Sequence, residues 1–238
     1  MYEISSYEYF DNNCKETILF LHGWGCNIYY MLPIAKNICN ANSLIIDLPG
    51  FGKNISFKSP KTIYDYINII YDFIVSKNYN ITYIVGHSFG GKLSVLLANK
   101  FKIKCLFLFS PSIYNKKRHI GYYIKIYLYK FLKKLKVKKK ILNKFGSEDY
   151  KSLSDVMKKT MSNVINVNIT KELKVLNSPI LLFFGKNDKI TPPYLGKKIK
   201  KNAIDCELFI LNGDHFAYIQ NSKYISILLN RVINLTYD

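Results

Sequence analysis

Six short apolar runs recur along the chain, at residues 17–21, 43–48, 81–85, 105–109, 179–184 and 206–211. Each is strand length and rich in Ile, Leu, Phe or Val, with little polar alternation. Continuous runs suit strands covered on both faces, as in a parallel sheet. Between them, residues 62–76 and 91–101 carry the apolar spacing of helices. This alternation predicts an α/β fold: a mostly parallel central sheet with helices on both faces. Residues 2–10 add one or two edge strands. The rhythm stops between 111 and 175, where no buried strand is legible. That segment is expected to be a helical cap inserted into a core made of residues 1–110 and 176–238.

The chain has 238 residues, 49% of them hydrophobic, which is enough for one domain with a substantial core. Charged residues make up 21%, so a disordered chain is excluded. The net charge of +19 is carried almost wholly by lysine. Phosphate and base recognition favour arginine, and no basic recognition motif accompanies the charge, so nucleic acid is not an expected partner. The five cysteines form no CxxC pair and no cluster with histidine. No metal or cofactor is therefore expected, and the unpaired spacing suits a reducing cytosol. The first residues lack a basic and apolar leader, and no apolar stretch approaches the roughly 18 residues of a spanning helix. A cytoplasmic location follows as an expectation.

The sequence GHSFGG, residues 86–91, comes directly after the third apolar run and before a helical stretch. Gly86-His87-Ser88-Phe89-Gly90 fits the G-x-S-x-G nucleophile elbow. A serine on so sharp a turn is crowded by its neighbours, and glycine two before and two after removes the side chains that would clash. The helix that follows aims its free N–H groups at negative charge developing near Ser88. A serine nucleophile needs a base, and the chain has four histidines. His87 is inside the elbow, His22 ends a strand, and His119 is in the insertion. His215 follows the last apolar run, at the strand edge where open α/β sheets place their sites. It is the expected base. Asp188, in the loop after the 179–184 run, is the expected carboxylate orienting it. Asp214 is the rival, but an acid adjacent in sequence rarely reaches the ring. An oxyanion hole would take one N–H from Phe89, after the nucleophile. The second would come from Trp24, in the His22-Gly23-Trp24-Gly25 loop after the first run.

HGWG at 22–25, DLPGFG at 47–52, GHSFGG at 86–91, GKNDKITP at 185–192 and GDH at 213–215 together resemble the motifs of the α/β-hydrolase family, in its order and over nearly the whole chain. The resemblance implies Ser88 as nucleophile, His215 as base, Asp188 as orienting acid, and Trp24 and Phe89 as oxyanion donors. It also implies that the 111–175 insertion caps the active site and that residues 47–52 form a structural turn. Dehalogenases and epoxide hydrolases of this fold carry aspartate at the Ser88 position, so those activities are not expected. The HGWG form is similar to that of the carboxylesterases that cleave the pimeloyl-carrier-protein methyl ester in biotin synthesis. The expected reaction is hydrolysis of a small acyl ester or thioester through an acyl-enzyme. Carbon–carbon bond hydrolysis and cofactor-free perhydrolysis use the same triad, and a non-catalytic receptor would keep the fold. The lysine-rich, aromatic cap suits an apolar acyl chain delivered by an acidic acyl carrier protein, or an anionic membrane surface.

Overall fold

A computed structural model describes residues 3–54, 57–115 and 153–236. Strand β1 is Tyr7–Phe10, β2 is Thr17–Leu21 and β3 is Asn42–Ile46; the short helix α1, Leu32–Ala35, lies between the last two. Helix α2, Ile63–Ser76, precedes β4, Ile81–His87, which runs through Ser88 into α3, Phe89–Ala98. Strand β5 is Cys105–Phe109. After the undescribed stretch come α4, Asp155–Ile165, α5, Thr170–Lys174, and β6, Ile180–Gly185. The chain ends with α6, Pro193–Asn202, β7, Cys206–Leu211, α7, Ala217–Gln220, and α8, Ser222–Leu235.

The seven strands form one sheet in the order β1-β3-β2-β4-β5-β6-β7. Only β1 is antiparallel, against β3; every other pairing is parallel. The apolar runs explain this arrangement. β2, β3 and β5 are buried at every position, so both faces must be covered. Alternate residues feed two separate cores. Leu19, Leu21, Ile84 and Leu108 pack with residues of α2, α3, α5 and α6. Phe20, Val85, Phe107 and Phe109 pack with residues of α1, α7 and α8 on the other face.

The chain steps outward from β2 to β3, then returns to the other side of β2 with β4. All six parallel strands therefore point the same way, and the loops that leave them gather at one edge. Helix α2 starts where a capping box forms: Asp65 N–H donates to Thr62 Oγ1 at 3.3 Å, and Thr62 N–H donates to Asp65 Oδ2 at 2.6 Å. β4 runs two residues past the expected 81–85, because Gly86 and His87 still pair with Leu108 and Phe109. Helix α3 begins at Phe89 rather than 91, since the turn at Ser88 is a single residue. Of the expected cap, residues 116–152 lie outside the described residues. The described part, 153–175, contains α4 and α5.

Candidate active site

The six parallel strands deliver the loops of this site in turn. His22 and Trp24 follow β2, Asp47 follows β3, Ser88 follows β4, Ser110 follows β5, Asp188 follows β6 and His215 follows β7. Ser88 has φ 51° and ψ −110°, a conformation few non-glycine residues adopt. Its N–H donates to Phe109 O at 2.9 Å, and its carbonyl accepts from Lys92 and Ser112. A side chain on Gly86 would run into Ser94 Oγ, and one on Gly90 into the carbonyl oxygens of Leu21 and His22. The glycines are required because α3 packs directly on β4 at Gly86 and on the end of β2 at Gly90.

The loops after β6 and β7 are joined before either reaches the site. Lys186 N–H donates to Leu211 O at 2.8 Å, and Asn187 N–H to Gly213 O at 2.9 Å. That contact sets Asp188 against His215. His215 Nδ1 lies 2.8 Å from Asp188 Oδ2, with both side chains buried. The other carboxylate oxygen, Oδ1, accepts from Ile190 N–H at 2.8 Å and Thr191 N–H at 2.9 Å. Burial works against the Asp188 charge. The hydrogen bond and charge of His215, the Ser110 side chain and the Thr191 N–H outweigh it and hold the carboxyl below its ordinary range. Asp214 faces elsewhere and caps its own turn, accepting from Phe216 N–H at 2.9 Å.

Ser88 is tied to His215 through its neighbour in the chain. The His87 ring stands 4.7 Å from the His215 ring, and its Nε2 donates to His215 O at 3.1 Å. Burial, then the nearby His215 charge, drives the His87 imidazole well below its ordinary value, so it stays neutral. His87 Nδ1 also lies against Gly23, where an added Cβ would stand 2.8 Å from it and 3.3 Å from Ser88 Cβ. The serine, the Gly23–Trp24 turn and the His215 loop thus occupy one corner of the sheet edge.

Phe89 is the first residue of α3, so its N–H has no intrahelical acceptor. The Trp24 ring packs edge-on to Phe89 and Phe51, with centroids 5.5 and 4.8 Å away. Phe89 packs on Tyr66 and Tyr66 on Phe57, both edge-on. An aromatic wall therefore starts at the residue that follows Ser88.

Residues that sequence reasoning left aside hold this corner in place. His22 Nε2 accepts from Leu48 N–H at 2.8 Å, and Nδ1–H donates to Gly23 O at 2.8 Å. Burial pushes its imidazole down to about 4, with the Gly23 carbonyl and Asp47 opposing that shift. A neutral His22 thereby locks the Trp24 turn to the turn after β3. Asp47 holds the second turn: Oδ1 accepts from Ile28 N–H at 2.8 Å, and Oδ2 from Ser6 Oγ at 2.6 Å and Lys53 N–H at 2.9 Å. This matches the structural part expected of residues 47–52. Thr191 was also unforeseen. Its hydroxyl lies 2.9 Å from Asp188 Oδ2, 3.1 Å from Ser110 O and 3.2 Å from His215 Nδ1. The only sequence signal for it was a threonine three residues after an aspartate, a spacing that favours side-chain-to-backbone turns.

A serine on a strained strand-to-helix turn, with a His–Asp pair from two later strands, is the arrangement of an α/β-hydrolase. The family model for serine aminopeptidase, S33, matches residues 12–214, and the chain belongs to that family. It is a serine hydrolase. Among characterised relatives, the pimeloyl-[acyl-carrier protein] methyl ester esterase of Wigglesworthia glossinidia brevipalpis is 28% identical over 235 residues, covering 86% of this chain and 88% of that protein. A lipase-esterase related protein from Clostridium acetobutylicum superposes with a TM-score of 0.72 at 24% identity, covering 95% of this chain and 98% of the other. The 2-hydroxy-6-oxo-6-phenylhexa-2,4-dienoate hydrolase of Rhodococcus superposes with a TM-score of 0.71 at 17% identity, covering 98% and 97%. At these identities the two structural likenesses speak to fold. Among the described residues no helix is long and apolar enough to cross a membrane, and no His, Cys, Asp and Glu group together as a metal site would require.

Proposed function

We propose that the protein hydrolyses a carboxylic ester or thioester of an apolar acyl group, with Ser88 as nucleophile, His215 as general base and Asp188 as the acid that orients it. The observation that carries this reading is the 2.8 Å contact of Asp188 Oδ2 with His215 Nδ1, on a histidine whose ring stands 4.7 Å from that of His87, the chain neighbour of the strained Ser88. Asp188 accepts the Nδ1–H of His215 and leaves Nε2 free to take the Ser88 proton. The serine oxygen then attacks the acyl carbonyl, and the N–H groups of Trp24 and Phe89 hold the oxyanion. The leaving group departs with the proton from His215. The same nitrogen next removes a proton from water, which releases the acid and restores the serine.

The aromatic wall of Trp24, Phe51 and Phe89 supports an apolar acyl chain over a charged one. We further propose that an acidic acyl carrier protein presents this chain. The net charge of +19 and the activity named for the Wigglesworthia relative support that partner. Five free thiols suit a cytoplasmic setting.

The test is a chain-length series of p-nitrophenyl esters with wild type beside Ser88→Ala. Loss of about 10⁴-fold or more in kcat is expected for the variant, with an unchanged melting temperature. Ester turnover by Ser88→Ala at the wild-type rate would remove the serine from the mechanism. Carrier-bound substrate should show a steep loss of kcat/KM with added salt that a small neutral ester does not share. Equal salt responses would remove the carrier.

A further inference from the structure

Lys92 lies one helical turn after Ser88, and its N–H donates to Ser88 O at 3.2 Å. Its side chain is not on the surface. It is 2% exposed, and it is among the largest fully buried side chains in the described protein. All three ammonium hydrogens go to backbone carbonyls: Ile165 O at 3.0 Å, Val167 O at 3.2 Å and Val164 O at 3.4 Å. Two of these belong to the last turn of α4 and the third lies just past its end. A cation placed there satisfies carbonyls that the helix itself cannot pair, and it complements the helix dipole. Burial lowers the Lys92 ammonium to about 8. Holding it charged at neutral pH is therefore a cost to the fold, which a hydrophobic residue of the same length would avoid.

The other contacts of α4 show what the cation holds in place. At its middle, Thr160 Oγ1 accepts from Lys61 N–H at 3.0 Å, and Asn163 Nδ2 donates to Lys61 O at 3.1 Å. Near its start, Met157 is 6% exposed, and its sulfur stands with the Phe57 ring over Gly50, both within 3.3 Å of where a Cβ would be. Phe57 is the far end of the aromatic wall that reaches Phe89 through Tyr66. Helix α4 thus leans on the far end of the wall that starts beside the nucleophile, and its C-terminus is fastened to the nucleophile's own helix.

We propose that Lys92 is a positioning residue: it fastens α4 to the helix that carries Ser88 and so fixes the Met157 side of the site that receives the acyl chain. The acyl part of this inference rests on the ester-hydrolase reading; the fastening does not. Lys92→Met keeps the length and removes the charge, and Lys92→Arg keeps the charge. Hydrogen exchange read by mass spectrometry tests the fastening without any substrate. In Lys92→Met the amides of residues 155–167 should exchange about tenfold faster, the scale of a lost cation at a partly buried helix end, while those of β4 and β5 keep their protection. Lys92→Arg should exchange close to wild type. Lys92→Gln, too short to reach all three carbonyls, should repeat the Met result and serves if that variant does not fold.

The second readout is the split between KM and kcat. KM for an octanoyl ester should rise about tenfold in Lys92→Met, KM for an acetyl ester by much less, and kcat for both by less than about threefold. Unchanged exchange at 155–167 overturns the fastening whatever the kinetics. Faster exchange with equal KM changes for both esters overturns the acyl-chain role. An inactive wild type with faster exchange in Lys92→Met counts against the ester-hydrolase reading and supports the fastening.

Discussion

Replacing Asp188 with asparagine changes one atom and tests the whole site. The carboxylate has two distinct sides. Oδ1 accepts two main-chain N–H groups, from Ile190 and Thr191, at 2.8 and 2.9 Å. Oδ2 faces His215 Nδ1 at 2.8 Å and the Thr191 hydroxyl at 2.9 Å. An asparagine here has only one acceptor oxygen. If the amide nitrogen faced Ile190 and Thr191, the buried Thr191 N–H would lose its acceptor, at about 1–3 kcal/mol, and the part-buried Ile190 N–H would lose its own. The oxygen therefore stays on that side and the NH₂ turns to His215. An NH₂ only donates, so His215 Nδ1 must accept and its proton moves to Nε2. In the proposed mechanism Nε2 is the atom that receives the Ser88 proton.

The expected loss is about 10⁴-fold in kcat, the size found where the same exchange puts a triad histidine in the wrong tautomer. That corresponds to about 5 kcal/mol of lost transition-state stabilisation. The assay is kcat on a p-nitrophenyl ester at pH 8, with Ser88→Ala as the floor. Melting temperature is measured alongside, because the substitution is isosteric and should leave the fold intact. An Asp188→Asn enzyme within tenfold of wild type, properly folded, would refute the assignment and leave Asp188 as a loop-closing residue.

Acid should destabilise the protein well above the carboxylate range. Burial lowers the His22 imidazole from 6.5 to about 4, so between those pH values the unfolded chain binds a proton that the folded chain does not. Stability present above pH 6.5 is then lost as pH falls, by about 2 kcal/mol at pH 5, and the buried His87 adds to the loss in the same direction. Urea midpoints at pH 7 and pH 5 measure this, and equal midpoints would show that His22 is protonated in the fold. Gly90→Ala should cost about 3 kcal/mol or more, because its methyl meets the carbonyl oxygens of Leu21 and His22, which belong to a central strand and the turn leaving it and cannot retreat. A melting temperature within a few degrees of wild type would mean that β2 and α3 can part.

Much of the sheet was legible because its strands obey a single pressure. β2, β5 and β7 begin and end where the apolar runs do. β7 matches even though it lies at the sheet edge and is only partly buried, since its run faces α6 on one side. The end of β4 and the start of α3 each differ from expectation by two residues for one reason: glycine usually marks a break, and here Gly86 continues a strand while Gly90 continues a helix. The motif residues could be placed at the sheet edge because each follows a strand. What holds them could not. Lys92 reads as one more solvated lysine on a helix, and its burial depends on carbonyls more than 70 residues away. The bridging position of Thr191 depends on Ser110, which lies 81 residues earlier. Pairings of that range leave no periodicity to read.

Backbone strain marks the same corner of the molecule independently of any motif. Among the described residues, four that are not glycine have positive φ: Asn13, Asn78, Ser88 and Ser110. The asparagines need no special account, since a short amide side chain tolerates the left-handed region and both lie in connections between elements. The serines do need one. They stand at the ends of neighbouring strands, β4 and β5, and each such conformation costs about 1–3 kcal/mol. Glycine would remove that cost at either position. It would also remove a hydroxyl, at Ser88 the proposed nucleophile and at Ser110 a side chain that helps hold the Asp188 carboxyl below its ordinary range. The carbonyl of Ser110 receives Thr191, whose hydroxyl sits between Asp188 and His215. In the proposed mechanism one strained serine offers the attacking oxygen and the other supports the carboxylate. Strain kept at two adjacent strand ends, where glycine would relieve it, is what the proposed mechanism requires: each position needs its hydroxyl more than it needs a relaxed backbone.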